Sequence, residues 1–256
     1  MLVDSHCHLN LLNLDAYAGD LNALLQRAEQ RGITRILCVG VDLDHAHEVI
    51  RVAQQFAAVV ASVGLHPSEK VAREPTVEEL VTLAQQPKVV AIGETGLDYY
   101  YNKTGWDTMA ERFRRHIRAA IILNKPIIVH SRSAEQDTLR ILREEKAEQV
   151  SGVMHCFTES WEMAEAAMAL GFYISFSGIV TFKNATAIAE VAKKVPLERL
   201  LIETDAPYLA PHPYRGKPNE PHYLRDIAEH MTHLKNTTLA TFADVTTQNF
   251  LRLFKC

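Results

Sequence analysis

Eight short apolar or β-branched runs recur along this chain, and between most of them lie stretches with the spacing of an amphipathic helix. The runs are Leu2-Val3, Ile33–Val41, Val59–Gly64, Val89–Gly93, Ile127–His130, Gly152–His155, Tyr173–Phe176 and Leu200–Glu203. Helical spacing fills Leu21–Arg31, Ala46–Phe56, Val77–Gln85, Met109–Leu123, Ala134–Arg143, Met163–Leu170 and Ala185–Lys194. The strand runs are continuous rather than alternating in polarity, as a parallel sheet covered by helices requires. Strand then helix, repeated in about 250 residues, is the pattern of a closed (β/α)8 TIM barrel, and residues 1–256 read as one such domain. An open doubly wound sheet is the competing arrangement. No glycine fingerprint for a dinucleotide follows the first strand, and polar residues gather at the ends of many strands rather than at one switch point, which favours the barrel.

After the eighth run, Ala206–Pro221 holds five prolines and predicts an ordered surface loop lying over the strand ends. Tyr223–Leu234 and Thr241–Phe254 read as two closing helices, with a cap signal in Asn236-Thr237-Thr238.

Hydrophobic residues make up 47% of the chain and charged ones 23%, enough for a sizeable core. The formal net charge of -4 argues against a broad cationic face that coats a nucleic-acid duplex. A phosphate substrate would have to be held locally, and bound metal ions supply positive charge that no count of side chains reveals. No apolar run approaches the ~18 residues of a membrane span, and Met1-Leu2-Val3-Asp4 lacks the basic start of a signal peptide, so the chain reads as cytoplasmic. Cys7, Cys38, Cys156 and Cys256 show no CxxC pairing and predict free thiols, not a disulfide framework.

The chemistry sits where the strand runs end. His6-x-His8 closes the first run, and a spacing of two puts both imidazoles on one face of the pleat. The third run ends in Gly64-Leu65-His66-Pro67, the fourth in Gly93-Glu94-Thr95-Gly96-Leu97-Asp98 and the fifth in Val129-His130-Ser131-Arg132. The sixth ends in Met154-His155-Cys156-Phe157 and the eighth in Glu203-Thr204-Asp205. In β/α barrels these carboxyl ends form the floor of the active site. Imidazoles suit zinc and other transition ions, while carboxylates also accept magnesium or manganese. Six ligands, His6, His8, Glu94, His130, His155 and Asp205, exceed the need of one tetrahedral ion. They imply two divalent cations about 3.5–4 Å apart, one on His6 and His8, one on His130 and His155, with Glu94 as bridge. Asp205 serves as ligand, as general base for the attacking water, or as both.

Other residues carry paired readings. His66 orients substrate in catalysis or caps a strand. Arg132 reaches a substrate phosphate bidentately or pairs with a neighbouring acid. Arg215 and Lys217 in the proline-rich loop suit a polymeric substrate or are merely solvated. Tyr99, Tyr100 and Tyr101 pack the rim by default, with base stacking as the functional alternative. His45 and His47 open a helix, where capping or solvation is expected, and His116, His230 and His233 sit on helical patterns read as solvated faces.

With these residues assembled, the chain resembles the TatD family of metal-dependent deoxyribonucleases, within the wider amidohydrolase-like group of barrels. The likeness runs nearly end to end, through Asp4-Ser5-His6-Cys7-His8, Gly64-Leu65-His66-Pro67, Gly93–Tyr100, Pro126–Arg132, His155-Cys156-Phe157, Ser177-Gly178, Thr181–Ala185, Glu203–Pro207 and Arg215–Pro221. Tyr99–Tyr101 and Phe182-Lys183-Asn184-Ala185 resemble most the YcfH-type branch, whose substrate is not settled. The resemblance implies the same six metal ligands in the same two groups, with Glu94 bridging where many amidohydrolases use a carboxylated lysine. It implies hydrolysis of DNA phosphodiester bonds from a strand end by water activated between two divalent cations (Mg, Mn or Zn). The alternatives are an ester or amide hydrolase acting on a small molecule or an aminoacyl-tRNA, and a non-catalytic metal-binding protein. No membrane and no specific protein partner is indicated.

Overall fold

Continuous apolar runs with helical stretches between them give eight parallel strands and nine α-helices in the computed structural model, which describes residues 1–256. The strands are β1 (Leu2–Cys7), β2 (Ile33–Cys38), β3 (Val59–Val63), β4 (Val89–Asp98), β5 (Ile127–Arg132), β6 (Gly152–Met154), β7 (Tyr173–Phe176) and β8 (Leu200–Ile202). They lie in sequence order, each hydrogen-bonded in parallel to the next. Around them run α1 (Leu21–Gln30), α2 (Ala46–Gln55), α3 (Val77–Ala84), α4 (Trp106–Leu123), α5 (Glu135–Glu144), α6 (Trp161–Ala169), α7 (Thr186–Lys194), α8 (Leu224–Lys235) and α9 (Leu239–Phe254). No helix is long and apolar enough to cross a membrane.

Local sequence sets the helix ends. Asp20, Thr76, Ser160 and Thr238 cap α1, α3, α6 and α9 by accepting a backbone N–H of the first turn, and Glu79 completes a capping box with Thr76. Asn124 and Asn236 take the left-handed conformation that ends α4 and α8.

Strand side chains divide between two apolar regions. Leu2, Ile36, Val59, Ile92, Ile127, Met154, Ile174 and Leu200 pack outward under the helices in the larger core. Val3, Leu37, Val60, Ala91, Ile128, Val153, Tyr173 and Leu201, one from each strand, meet in a smaller core with Phe250, Leu253 and Phe254 of α9. This helix therefore plugs the barrel at the end where the strands begin, and truncation of fully buried Phe250 would cost about 3–5 kcal/mol. The opposite end is left for polar residues.

No ladder joins β8 to β1. The seam is closed instead by bonds from Asp205 N to His6 O at 2.9 Å, His8 N to Ala206 O at 2.8 Å and Ser5 Oγ to Ile202 O at 3.0 Å. Buried Asp4 accepts from Thr204 N at 2.9 Å and from its hydroxyl at 2.5 Å. These bonds tie the segment carrying His6 to the segment carrying Asp205.

Candidate active site

β1 delivers His6 and, one residue past its end, His8; β4 delivers Glu94 and Asp98, and β5 delivers His130 and Arg132. His66, His155 and Asp205 follow β3, β6 and β8 by a few residues. Three strands run further than their apolar sequence predicts: β1 reaches Cys7 rather than stopping at Val3, β4 continues past Gly93 to Asp98, and β5 passes His130 to end at Arg132. Register shifts between Asp4 and Cys7 and between Ile92 and Thr95 mark where β1 and β4 leave regular pairing to turn their ionisable groups into the barrel mouth. Gly96, with φ +141°, lets β4 pass β5 closely, since a Cβ there would stand 2.0 Å from His130 O.

His8, His66, Glu94, His130, Arg132, His155 and Asp205 all line one cavity of about 740 Å³. His6 lies under its floor, fully buried. Arg215 does not line it; its side chain is exposed and its guanidinium sits 4.5 Å over the ring of Phe182. The proline-rich loop covers the strand ends and contributes Tyr208 and Leu209 to the wall. Asn219 pins it by donating to Thr204 O at 2.8 Å and Tyr208 O at 2.6 Å, around an Asp205 held at φ 57°.

Glu94 is the hub. Its Oε1 lies 2.7 Å from His155 Nε2, 3.0 Å from His130 Nδ1 and 3.3 Å from His66 Nε2, while Oε2 lies 3.3 Å from His6 Nε2. Its two oxygens thus face two different sets of imidazoles. His6 and His8 bring their Nε2 atoms to 3.3 Å of each other, and Asp205 Oδ1 stands 3.6 and 3.3 Å from them.

The outer nitrogens decide what the inner ones offer. His8 Nδ1 meets Val39 O at 3.1 Å, His155 Nδ1 meets Glu203 Oε1 at 3.1 Å, and His130 Nε2 meets Asp98 Oδ2 at 3.1 Å. Each of these acceptors holds a ring proton on the outer nitrogen, so His8 Nε2, His155 Nε2 and His130 Nδ1 are the nitrogens that would offer lone pairs to a bound cation. His66 is reversed: its Nδ1 accepts from Ser68 N at 3.1 Å, which leaves the proton on the inward Nε2. His66 therefore enters the cavity as a donor.

Burial opposes the charge on Glu94, yet the imidazoles of His155, His66 and His130 outweigh it and hold the carboxyl well below its ordinary range. Burial likewise opposes ionisation of Asp205, but His8 and His6 keep it low. Burial alone would neutralise His155, but Glu94 and Glu203 raise it well above the usual imidazole value. His6 goes the other way, lowered by burial and then by neighbouring His155.

The donor set fits divalent metal ions. His6, His8 and Asp205 bring ligand atoms within 4.8 Å of one another, as do His6, His155 and Glu203. His66 lies as close to Glu94 and His130, but with its proton on Nε2 it stands beside that group as a donor and not as a ligand. Nδ1 of His6 and Oε2 of Glu203 are buried without hydrogen-bond partners, further sign of a site organised for charge. The mixture of imidazole nitrogen and carboxylate oxygen suits zinc or manganese as readily as magnesium.

Sequence reasoning passed over Asp98 and Glu203, which anchor His130 and His155. Asp98 follows Glu94 by four residues on one strand, a same-face spacing that was available as a signal. The solvated reading of the helical histidines fails for His116, which is fully buried on α4 and accepts the Leu65 amide at 3.0 Å; His222 is buried too. His45, His47 and His233 are exposed. Tyr99 packs as expected, stacked on Trp106, whereas Tyr100 and Tyr101 are exposed beneath Arg132. All four cysteines are free.

The model of the family described as TatD related DNase matches residues 3–255. The uncharacterized metal-dependent hydrolase YcfH of Escherichia coli K12 is 48% identical over 254 residues, covering 99% of this chain and 95% of that protein. The 3'-5' ssDNA/RNA exonuclease TatD of Shigella flexneri serotype 5b is 32% identical, covering 95% and 96%. Among solved structures, that of YJJV, a TatD homologue from Escherichia coli K12, superposes with a TM-score of 0.93 at 28% identity over 100% of this chain and 98% of that one. With a barrel whose mouth gathers four imidazoles around a shared carboxylate, and with these relatives along its whole length, the chain belongs to the TatD family of metal-dependent hydrolases.

Proposed function

We propose that this protein is a deoxyribonuclease that hydrolyses phosphodiester bonds from a strand end. The observation that carries the reading is Glu94, whose two carboxylate oxygens address separate imidazole sets. His6, His8 and Asp205 would hold one divalent cation and His130 and His155 another, with Glu94 within reach of both groups. The family description and the exonuclease relative support the choice of bond.

Bound divalent cations supply Lewis acidity toward the phosphoryl oxygens and bring the pKa of water from 15.7 toward about 7. The other duties fall to side chains. Asp205, kept ionised by His8 and His6, orients the attacking water and accepts its proton. The water oxygen bonds to phosphorus as the bond to the leaving oxygen breaks, and the proton is passed to that oxygen. His66 offers its inward Nε2–H to charge developing on the departing group. Arg132 holds a neighbouring phosphate through its fork of donors.

The test is degradation of end-labelled single-stranded and duplex DNA by metal-stripped protein with Mg²⁺, Mn²⁺ or Zn²⁺ restored, beside Asp205→Asn. Shortening from one end that requires metal, and that falls by about 10²–10⁴-fold in Asp205→Asn, is expected. Intact DNA under every metal would transfer the assignment to a small ester or amide.

A further inference from the structure

Arg132 is the one lysine or arginine that lines the cavity. Nine other arginines close ion pairs with carboxylates. Arg132 closes none. Its guanidinium is carried instead on two tyrosines, 4.2 Å from the ring centre of Tyr100 and 4.7 Å from that of Tyr101. Those rings stand nearly perpendicular, at 86°, with centres 4.9 Å apart. A cation held by ring faces keeps its in-plane N–H donors free for a ligand, and the two rings limit where it swings.

The other side of the cavity is apolar. Leu11, Tyr208 and Leu209 stand beside His8 and Asp205: Leu11 N donates to His8 O at 2.9 Å, Tyr208 N donates to Asp205 O at 2.9 Å, and the Tyr208 ring centre lies 6.0 Å from that of His8. The cavity is thus polarised, with an apolar wall on the His8–Asp205 side, Glu94 in the middle and a single cation beyond His130. Its volume of about 740 Å³ falls within the range of roughly 300–1,000 Å³ typical of small-molecule sites. A groove that tracks a strand needs successive cations along its length.

We infer that the site recognises only the last few nucleotides of a single strand. The terminal base lies on the Tyr208–Leu209 wall, the scissile phosphate lies over Glu94, and one flanking phosphate is held by Arg132. The strand beyond that phosphate makes no contact that contributes to affinity. This rests on the phosphodiesterase reading above and adds to it the size and polarity of what is bound.

The experiment measures KM and kcat for single-stranded oligonucleotides of two to about twenty nucleotides, without terminal phosphates, at fixed divalent metal and varied monovalent salt. A dinucleotide has only its scissile phosphate, and a trinucleotide adds the flanking one. KM is expected to fall about ten- to hundredfold between these two, the worth of a charge-assisted contact, and then to stay level. Single strands lose binding with a log–log salt slope of about −0.7 per phosphate contacted, so the slope of kcat/KM should stay between about −0.7 and −1.4 at every length. Arg132→Ala should erase the step between two and three nucleotides and flatten the slope by about 0.7, while Arg132→Lys keeps the slope. KM that keeps falling with each added nucleotide, or a step that survives in Arg132→Ala, would overturn the inference and leave the nuclease reading standing. No hydrolysis at any length would overturn both.

Discussion

The amide of Leu65 donates to Nε2 of His116 at 3.0 Å, tying the segment that carries His66 to α4. One helical turn earlier, Arg112 grips the far side of the same segment, with Nη1 at 2.7 Å from His66 O and 3.0 Å from Glu69 O. Its Nε and Nη2 meet the Glu74 carboxylate at 2.7 and 2.5 Å, and the arginine is only 5% exposed. Two side chains at i and i+4 on one helix therefore fix the loop whose histidine enters the cavity.

Arg112→Ala strands the Glu74 carboxylate and three loop carbonyls at once. Breaking a buried pair of this kind costs about 3 kcal/mol or more, which in a chain of this size lowers Tm by about 6–12 °C. Calorimetry checks it. A Tm within a degree or two of the parent would show that α4 does not hold the loop through Arg112.

His116 makes the same truss sensitive to acid. Burial pushes its pKa down to about 4, so between that value and 6.5 the unfolded chain binds a proton that the folded chain refuses. Stability is therefore retained above pH 6.5 and lost as pH falls toward 4. The loss reaches about 2 kcal/mol at pH 5, at 1.36 kcal/mol per pH unit. His116→Gln can still accept the Leu65 amide but does not titrate. Urea unfolding at pH 7 and pH 5 should show a smaller drop for the variant, although His222, also near 4, titrates in both proteins. Equal drops would mean that His116 is not the acid-sensitive group.

At His116 residue type and helical position point in opposite directions, and position prevails. Phe113, His116, Ile117 and Ala120 share one face of α4, so the helical period itself places the histidine in the core. Reading it as solvated followed residue type instead of position. The strands were legible because they are buried on both sides and so read as unbroken apolar runs. The ends of β1 and β4 were not, because the residues that fill the barrel mouth are His6, Glu94 and Asp98, and polarity there hides strand structure. The six proposed ligands were legible from their shared place at strand ends. The orientation of each imidazole depends on a partner distant in sequence, such as Glu203 for His155, and no local pattern encodes it.

Those partners give a further expectation. Asp98 Oδ2 fixes the outward proton of His130, and Glu203 Oε1 fixes that of His155 while also accepting the Cys156 amide at 2.7 Å. Removing an outer-shell acceptor typically costs 10–100-fold in metal affinity. Asp98→Ala should therefore weaken divalent-metal binding by that factor, measured by competition with a chelator, without altering the helical circular dichroism. Unchanged affinity would show that His130 needs no fixed tautomer, or that it binds no metal.

Asp4 offers a test of the barrel seam itself. It accepts from Thr204 N, Thr204 Oγ1 and His6 N, and so bridges the two segments that present His6 and Asp205. Burial pushes its carboxyl up to about 7, against the hydrogen bonds from Thr204 and His6 that favour the ionised form. Near neutral pH the site thus holds the protonated acid about as readily as the carboxylate. Asparagine reproduces the protonated form, with an oxygen for the two amides and an NH₂ for the threonine hydroxyl. Asp4→Asn should keep Tm and turnover close to those of the parent. Asp4→Ala leaves buried donors unpaired, each costing about 1–3 kcal/mol, and lets His6 and Asp205 drift apart, so both Tm and kcat should fall. If alanine and asparagine behave alike, the backbone bonds from Asp205 to His6 and from His8 to Ala206 hold the seam unaided, and Asp4 has no part in shaping the site.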